Sequence, residues 1–261
     1  MGLASLGSGS RGNGTLVAMA GSVFLVDCGF TLRQTEQRLA RLGLSPGDIT
    51  AVLVSHEHSD HISGVSALAH RYGVPVYASH GTKKNAPNGF QCEAFDGDIP
   101  FTLGEVTINP VRVPHDAREP TQFVLSHGEL KIGVLSDLGT YTQHVVEQYS
   151  DCRYLLLEAN HDRAMLRQGS YPPHLKTRVG ADFGHLSNCQ ARGLLERIAH
   201  PDLHVIIGHV SEQNNCLDLV ETEFAPFRER LASLNIATQA EGFTWIGEQP
   251  LTRQRSFDKV I

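Results

Sequence analysis

The chain has 261 residues, a length that corresponds to one large domain or two small ones and suffices for a hydrophobic core without disulfide bonds. Hydrophobic residues make up 41%, beside 25 glycines and 12 prolines, which excludes a collagen-like or broadly disordered chain. The formal net charge of −6 argues against the broad basic surface of a protein that coats DNA regardless of sequence, although it leaves room for a local basic groove.

Targeting and redox signals indicate a cytoplasmic protein. The uncharged stretch Gly12–Val26 is shorter than a membrane span of about 20 residues and is interrupted by glycines, and the pattern of a signal peptide is missing. The five cysteines form no C-x-x-C pair, and their odd number fits reduced thiols. We therefore expect no membrane segment and no structural zinc on cysteines, while the oligomeric state stays open.

The first half of the sequence alternates apolar runs with turn residues. In chain order, these patterns predict a glycine-rich loop at Gly7–Gly14, a hairpin of strands at Thr15–Ala20 and Ser22–Val26, an amphipathic helix at Thr31–Leu42, a strand at Ala51–Ser55, a helix at Ser63–Tyr72, a strand at Val74–Ala78 and a β meander from Phe90 to Leu138.

The second half has the same general plan without repeating the sequence. It predicts helices at Tyr141–Tyr149, Ser187–Ile198 and Leu217–Leu234, strands at Tyr154–Leu157, His204–Ile207 and Phe243–Ile246, and a polar tail. The segment Asn160–Gly184, with Pro172-Pro173 and several charges, is predicted to be an arm or lid at an active site. Two strand-rich halves covered by helices favour an α/β fold, a four-layer αββα sandwich forming a single domain over residues 1–261.

Histidine is abundant, with 14 residues, so a metal site is the first explanation to test. The string His56-x-His58-x-Asp60-His61 directly follows the strand at Ala51–Ser55. At a strand exit, residues i and i+2 point the same way, so His56 and His58 can share one metal while Asp60 and His61 turn toward a second. A lone histidine is most often structural, but four such side chains together favour a metal site.

This string resembles the H-x-H-x-D-H signature of the metallo-β-lactamase fold superfamily. Three further motifs stand in the order found in that superfamily, namely Pro114-His115-Asp116, Ser136-Asp137-Leu138-Gly139 and Gly208-His209-Val210-Ser211. The resemblance implies that fold, which agrees with the predicted αββα sandwich.

The resemblance also implies a site for two divalent metal ions. It assigns His56, His58 and His115 to the first metal, Asp60, His61 and His209 to the second, and Asp137 to a position between them. Two cations about 3.5–4 Å apart can lower the pKa of a bridging water to about 7 and hold the oxygens of the reacting group. Five imidazoles and two carboxylates suit Zn²⁺ and also admit Mn²⁺ or Fe.

Two further segments, Leu155–Asn160 and Phe183–Asn188, resemble the phosphodiesterase branch that includes ribonuclease Z. This resemblance implies that Glu158 orients His185, that His185 contacts the scissile phosphate, and that Asp60 positions the water or passes a proton. A histidinium beside a phosphoryl oxygen would stabilise developing negative charge. Gly184–Ser187 is also typical of a helix N-cap, which is compatible with this role.

A more specific resemblance is to the YycJ/WalJ group of bacterial metallo-hydrolases, carried by Leu6–Asn13, Val113–Asp116, Glu158–Asp162 and Gly184–Asn188. The association of that group with DNA exonuclease action implies a dinuclear metal-dependent phosphodiesterase with DNA as substrate. The long arm with which ribonuclease Z grips tRNA has no clear counterpart here.

Two alternatives remain for the function. One is a thioester or lactam hydrolase of the glyoxalase II or β-lactamase type, which Glu158 and His185 disfavour. The other is a non-catalytic scaffold that binds nucleic acid, which the full set of metal ligands disfavours. The sequence leaves open the choice between DNA and RNA, the polarity of attack, and the roles of His161 and of the segment Asn160–Gly184.

Overall fold

The computed structural model describes residues 1–87 and 90–250. The first half contains β1 (Gly2–Gly7), β2 (Gly14–Met19), β3 (Ser22–Val26), α1 (Leu32–Arg41), β4 (Ala51–Val54), α2 (Ser59–Ile62), α3 (Val65–Tyr72), β5 (Val76–Ser79), α4 (His80–Asn85) and β6 (Glu93–Phe95). The second half contains β7 (Phe101–Leu103), β8 (Val106–Arg112), β9 (Thr121–His127), β10 (Leu130–Leu135), α5 (Gln143–Tyr149), β11 (Tyr154–Glu158), α6 (Arg163–Gln168), α7 (Pro173–Val179), α8 (Asn188–Ile198), β12 (His204–Gly208), α9 (Leu217–Phe224), β13 (Ser233–Ile236) and β14 (Phe243–Gly247).

Two seven-stranded sheets form the centre of the fold. Their strand orders are β14-β1-β2-β3-β4-β5-β6 and β13-β12-β11-β10-β9-β8-β7. Strands β3 to β6 run parallel to one another, as do β10 to β13. Because β8 and β10 are both antiparallel to β9, β8 runs in the same direction as β10. Each sheet therefore places the carboxyl ends of several strands along one edge.

Buried side chains form three apolar layers. One layer lies between the two sheets and includes Phe24 and Phe123. A second covers the outer face of the first sheet beneath α1 and α3, and a third covers the outer face of the second sheet beneath α5, α8 and α9. Along β11, Leu155 and Leu157 face the helices whereas Leu156 faces the opposite sheet, which is why this strand is apolar throughout. The predicted four-layer αββα sandwich is confirmed.

Most predicted elements agree with the structure, but the predicted helix Leu217–Leu234 is too long. Helix α9 ends at Phe224, and a 3₁₀ turn at Ala225–Phe227 contains Pro226, whose missing N–H cannot continue the helix. Residues Ser233–Ile236 instead pair in parallel with β12 as an edge strand. The apolar residues at this end therefore belong to a strand.

Other features also differ from the sequence prediction, among them the unpredicted helix α4. Strand β1 was not predicted, and the loop that follows it spans only residues 8–13. The predicted meander is divided between the sheets, because β6 pairs with β5 while β7 to β10 belong to the second sheet. The predicted arm Asn160–Gly184 contains two short helices, α6 and α7.

In residues 1–87 and 90–250, no helix is long and apolar enough to cross a membrane. The polar tail that the sequence predicts after β14 lies outside the described residues from position 251 onward.

Candidate metal centre

The candidate ligands follow the carboxyl ends of strands from both sheets. His56 follows β4, His115 follows β8, Asp137 follows β10 and His209 follows β12, while Glu158 is the last residue of β11. In open α/β sheets, this edge is where ligands bind. Asp137 and His209 line a cleft of about 330 Å³ at this edge, and His56, His115 and Glu158 are buried beside it. The fold thus gathers residues that lie far apart in the sequence.

Three histidines form the first cluster. Their facing ring nitrogens are close, with 3.0 Å between His56 Nε2 and His58 Nδ1 and 3.3 Å between His58 Nδ1 and His115 Nε2. Two nitrogens that bind one tetrahedral zinc at about 2.0–2.1 Å are separated by roughly 3.3 Å, which matches these spacings. One ring nitrogen offers either a proton or a lone pair, so it cannot satisfy both contacts as hydrogen bonds.

The outward ring nitrogens of this cluster are held by the protein. His115 Nδ1 lies 2.9 Å from the carbonyl oxygen of Gly184, to which it donates, and His56 Nδ1 lies 2.9 Å from Ser55 Oγ. A hydrogen bond at Nδ1 of His115 fixes the tautomer that leaves its Nε2 lone pair directed at the cluster. This arrangement fits a divalent cation held by three imidazoles.

The second cluster surrounds the Asp137 carboxylate. Its Oδ2 lies 3.2 Å from His61 Nε2 and 3.1 Å from His209 Nδ1, while Oδ1 lies 4.0 Å from His115 Nε2. One carboxylate therefore faces both clusters with different oxygens, as a bridging ligand would. Asp60 Oδ2 is 3.4 Å from His61 Nε2, which places Asp60 on the cleft side of this cluster.

Burial and charge act in opposite directions on the buried groups of the second cluster. Burial works to lower the pKa of His209, but the Asp137 carboxylate outweighs it and raises that pKa to about 9. Burial also works to lower the pKa of His61. The carboxylates of Asp137 and Asp27 act in the opposite direction and raise that pKa well above its ordinary value. Burial would raise the pKa of Asp137, yet His209 and His61 hold it well below its usual range.

The first cluster behaves differently. Burial, reinforced by the neighbouring His61, holds the pKa of His56 well below its ordinary value, and burial also lowers the pKa of His115. Neutral imidazoles are the form that binds metal. Burial thus disfavours the charged form of His56 and His115 in the first cluster, whereas the pKa of the Asp137 carboxyl between the clusters is held well below its usual range.

Three residues at the site have strained backbones. Asp137, His209 and Asp27 have φ values of 50°, 52° and 62°, in the left-handed region that non-glycine residues rarely adopt. Such strain costs of order 1–3 kcal/mol per residue and persists where surrounding structure enforces it, often at functional sites. Each follows a strand directly or by one residue, so the chain turns sharply there. Asp137 and His209 line the cleft, whereas Asp27 is buried against Ser55 and His61.

Glu158 and His185 form a pair beside the clusters. The distance from Glu158 Oε1 to His185 Nδ1 is 2.7 Å, and the other carboxylate oxygen accepts the backbone N–H of Leu138 at 3.1 Å. Glu158 is buried, whereas the His185 side chain is 20% exposed and lines the cleft. Glu158 and His185 also lie within ligand distance of Asp137 and His209, so geometry alone allows a ligand role. The Glu158 carboxylate, however, already accepts hydrogen bonds from His185 and from the backbone N–H groups of Leu138 and Leu186.

Sequence reasoning missed Asp27, which positions the second cluster. Its carboxylate accepts hydrogen bonds from Ser55 N at 2.8 Å and from Ser55 Oγ at 2.7 Å, and lies 2.8 Å from His61 Nδ1. Asp27 comes directly after β3, which runs parallel to β4, so it reaches the edge from which the histidine string emerges. An acidic residue at the end of an apolar strand was the available signal.

Asn13 and Gly29 were also missed. Asn13 Nδ2 lies 3.1 Å from His61 Nε2, and Asn13 N donates to the backbone oxygen of Asp60 at 2.8 Å. A Cβ on Gly29 would lie 1.8 Å from that same oxygen, so only glycine lets the backbone of the histidine string pack this closely.

His161, whose role the sequence left open, is buried beside these groups. Burial lowers its pKa to about 4, and among the described residues its Nδ1 finds no hydrogen-bond partner. It does not belong to any of the three ligand groups that the geometry brings together among the described residues.

The comparisons with known proteins agree with this architecture. Residues 23–207 match the family model described as the beta-lactamase superfamily domain. The chain is 33% identical over 223 residues to exodeoxyribonuclease WalJ of Streptococcus pneumoniae, covering 82% of this chain and 83% of that protein. It is 33% identical over 222 residues to exodeoxyribonuclease YycJ of Bacillus anthracis, covering 82% and 84%.

A solved structure shows the same fold. The metallo-β-lactamase fold protein YhfI from Bacillus subtilis has a TM-score of 0.70 and 18% identity to this chain, covering 94% of this chain and 99% of that one. At this level of identity, the likeness concerns the arrangement of strands and helices.

Proposed function

The chain belongs to the β-lactamase superfamily and, within it, to the group of the WalJ and YycJ proteins, and from this premise we propose that it is a DNA exonuclease that hydrolyses phosphodiester bonds with two divalent metal ions. The enzyme class predicted from the sequence, a metal-dependent hydrolase, is confirmed by these relatives. The finer assignments of substrate, metal and residue roles are part of the proposal.

The proposed ligands follow from the two clusters. In this assignment His56, His58 and His115 hold one cation. Asp60, His61 and His209 hold the other, with Asp137 between them, and of these residues Asp60 lies outside the ligand groups that the geometry brings together among the described residues. When bound, Zn²⁺ or Mn²⁺ ions would supply Lewis acidity and an activated water at neutral pH. Asp27 holds the imidazole of His61 in place, and the Gly184 carbonyl does the same for His115.

The observation that carries the phosphodiesterase assignment is the Glu158–His185 pair. Because Nδ1 of His185 is committed to Glu158, Nε2 is the ring nitrogen available to a substrate in the cleft. A donor held there can stabilise the negative charge that develops on a phosphoryl oxygen. Asp60, at the cleft surface beside His61, is placed to orient the attacking water and accept its proton.

A cation on the opposite wall adds to the phosphate-binding character of the cleft. Arg178 lines the cleft and donates from Nε to Asp116, the residue after His115. The two terminal nitrogens of its guanidinium group have no hydrogen-bond partner among the described residues. A guanidinium suits phosphate because its donors match two phosphate oxygens at once. Because Arg178 is paired with Asp116, and Asp60 and Asp137 also line the cleft, most of the positive charge that would attract a polyanion there would come from the two divalent cations when bound.

The proposal is tested by a substrate panel. Protein stripped with a chelator and reconstituted with Zn²⁺ or Mn²⁺ is incubated with end-labelled single- and double-stranded DNA, RNA, bis-p-nitrophenyl phosphate and a thioester. We expect stepwise shortening of DNA that the stripped protein does not produce. Thioester hydrolysis without phosphodiester cleavage would assign the chain to the alternative hydrolase class. Binding of DNA without turnover in either metal form would support the alternative of a non-catalytic scaffold that binds nucleic acid.

A further inference from the structure

The segment Asn160–Gly184, here called the arm, forms one wall of the cleft. Tyr171, Leu175, Arg178 and Val179 of the arm line the cleft opposite the clustered histidines and carboxylates. Leu175 and Val179 are four residues apart on α7, and Arg178 lies three residues after Leu175, so one face of this helix points into the cleft. This wall thus combines an aromatic ring, two aliphatic side chains and one cation.

The apolar character of the cleft is confined to the arm. Apart from histidine, Tyr171 is the one aromatic side chain among the described residues that line the cleft, and Leu175 and Val179 are its aliphatic ones. The lining residues outside the arm are all polar or charged. A ligand that fills the cleft therefore has an apolar, flat part on one side and an anionic part on the other, which is the chemistry of a nucleotide.

The arm is fixed in this position. Tyr171 precedes Pro172 and Pro173, and a residue before proline is restricted to extended backbone, so little conformational freedom is lost when Tyr171 contacts a ligand. The end of α7 is tied to the site because His185 N donates to the carbonyl oxygen of Val179 at 2.9 Å. Lys176 Nζ donates to the carbonyl oxygen of Arg167 at 2.8 Å, which joins α7 to α6.

The size of the cleft limits what enters it. About 330 Å³ is near the lower end of the range of roughly 300–1,000 Å³ for ligand pockets. This volume accommodates one nucleotide rather than a base pair. A nucleotide next to the scissile phosphate fits this space in unpaired form.

We propose that Tyr171, supported by Leu175, is a base-stacking residue that binds the unpaired nucleobase adjacent to the scissile phosphate. This inference rests on the proposed function and names the part of the substrate that the arm recognises. Stacking of a base on an aromatic side chain contributes about 1–3 kcal/mol per base and tolerates any base sequence. At 1.36 kcal/mol per factor of ten, this corresponds to roughly 5- to 150-fold.

The test compares strands with and without the base. Metal-loaded wild type, Tyr171→Ala and Tyr171→Phe act on single-stranded oligodeoxynucleotides whose terminal nucleotide, at each end in turn, is normal or an abasic tetrahydrofuran analogue. Tyr72→Ala is the matched control, because Tyr72 is a 39% exposed tyrosine on α3 that does not line the cleft. Binding of the same strands is measured by fluorescence anisotropy in the His185→Ala background, where cleavage is slow.

In wild type and Tyr72→Ala, we expect the strand with a normal terminal nucleotide to have a kcat/KM and an affinity roughly 5- to 150-fold higher than the strand with the abasic analogue. We expect this ratio at one of the two ends only. Tyr171→Ala should remove this ratio while leaving the abasic strand as it is in wild type, and Tyr171→Phe should restore the ratio. An equal loss on both strands in Tyr171→Ala, or an unchanged ratio, would overturn the stacking role. If the protein binds the strands in a base-dependent way but the wild type cleaves none of them, the nuclease activity is refuted and the base-stacking role of Tyr171 stands. If the protein neither binds nor cleaves any strand, both proposals are refuted.

Discussion

The carboxylate of Glu158 connects two parts of the site: one oxygen lies 2.7 Å from His185 Nδ1, and the other accepts the N–H of Leu138 at 3.1 Å. Leu138 directly follows Asp137, the residue between the two clusters. A single buried group therefore fixes both the histidine proposed to contact phosphate and the backbone beside the proposed bridging ligand. The loss of this carboxylate should disturb catalysis more than folding.

Substitutions at His185 and Glu158 test this relationship. We expect His185→Ala to keep both metals and the thermal stability of the wild type but to lose about 10²–10⁴-fold in phosphodiester turnover, the usual contribution of a positioned acid or donor. Glu158→Gln should lose less, because it changes only the orientation and charge of His185.

The double variant His185→Ala/Glu158→Gln should be little worse than His185→Ala, since residues that act as one unit are not additive. Metal content by elemental analysis and turnover with end-labelled DNA are measured for each variant. Undiminished phosphodiester cleavage by His185→Ala would place the protein in another branch of the superfamily.

The bridging position of Asp137 makes a prediction about metal stoichiometry. Asp137→Asn is the suitable variant, because Asn tolerates the left-handed backbone at φ 50° better than Ala while it removes the charge. We expect wild type to carry close to two metals per chain and Asp137→Asn to lose at least one. Asp182→Asn, an exposed acidic residue on the arm, serves as control. Two metals retained by Asp137→Asn in elemental analysis would refute the bridging role.

All seven proposed ligands were already expected from the sequence: four stand in one compact string after β4, and the resemblance to the superfamily implied His115, Asp137 and His209. His56, His58 and His61 could be recognised together within six positions, and the apolar runs on either side indicated the strands. Asp27 was not identified, because it is a single charged residue after an apolar strand and its partner His61 is fixed only by the pairing of β3 with β4. Local signals cannot specify contacts that arise between distant segments.

The misplaced end of α9 has a related cause. The apolar residues Leu231 and Leu234 continue a helical pattern, but the 3₁₀ turn around Pro226 and the free edge of β12 redirect the chain into β13. An edge strand needs an available partner, and this partner is known only once the order of the sheet is known. The fold class was nevertheless predictable, because it depends on the alternation of elements and not on their ends.

Cysteine reactivity tests the packing beneath the sheets. Burial raises the pKa of Cys28 to about 11 and that of Cys152 to about 12, so at pH 8 both thiols carry almost no thiolate, which is the reactive form. Cys189 and Cys216 are exposed. With a disulfide reagent at pH 8, we expect rapid modification of Cys189 and Cys216, slower reaction of the half-buried Cys92, and reaction of Cys28 and Cys152 only after unfolding.

Peptide mapping at successive times assigns each modified thiol. Raising the pH from 8 toward 10 increases the thiolate fraction of Cys28 and Cys152 about tenfold per pH unit, because both pKa values exceed the pH. We nevertheless expect both thiols to react slowly in the folded protein, because they are buried. Rapid labelling of Cys28 in the native protein would mean that the layer beneath α1 opens readily.

Asp27 provides a test of a residue that binds no metal in the proposed assignment. Its carboxylate accepts from Ser55 and orients His61 through Nδ1, and loss of such a partner of a metal-binding histidine typically costs 10–100-fold in metal affinity. We expect Asp27→Asn to fold, because Asn tolerates φ 62°, and to lose a second metal about 10–100-fold more readily in chelator competition. Saturating metal should restore much of the turnover, which a direct catalytic role would not allow.

The control is Asp48→Asn. Asp48 is an acidic residue on the 3₁₀ turn at Pro46–Asp48 and does not line the described cleft. If Asp27→Asn binds both metals as tightly as Asp48→Asn does, the orientation of His61 does not depend on this carboxylate.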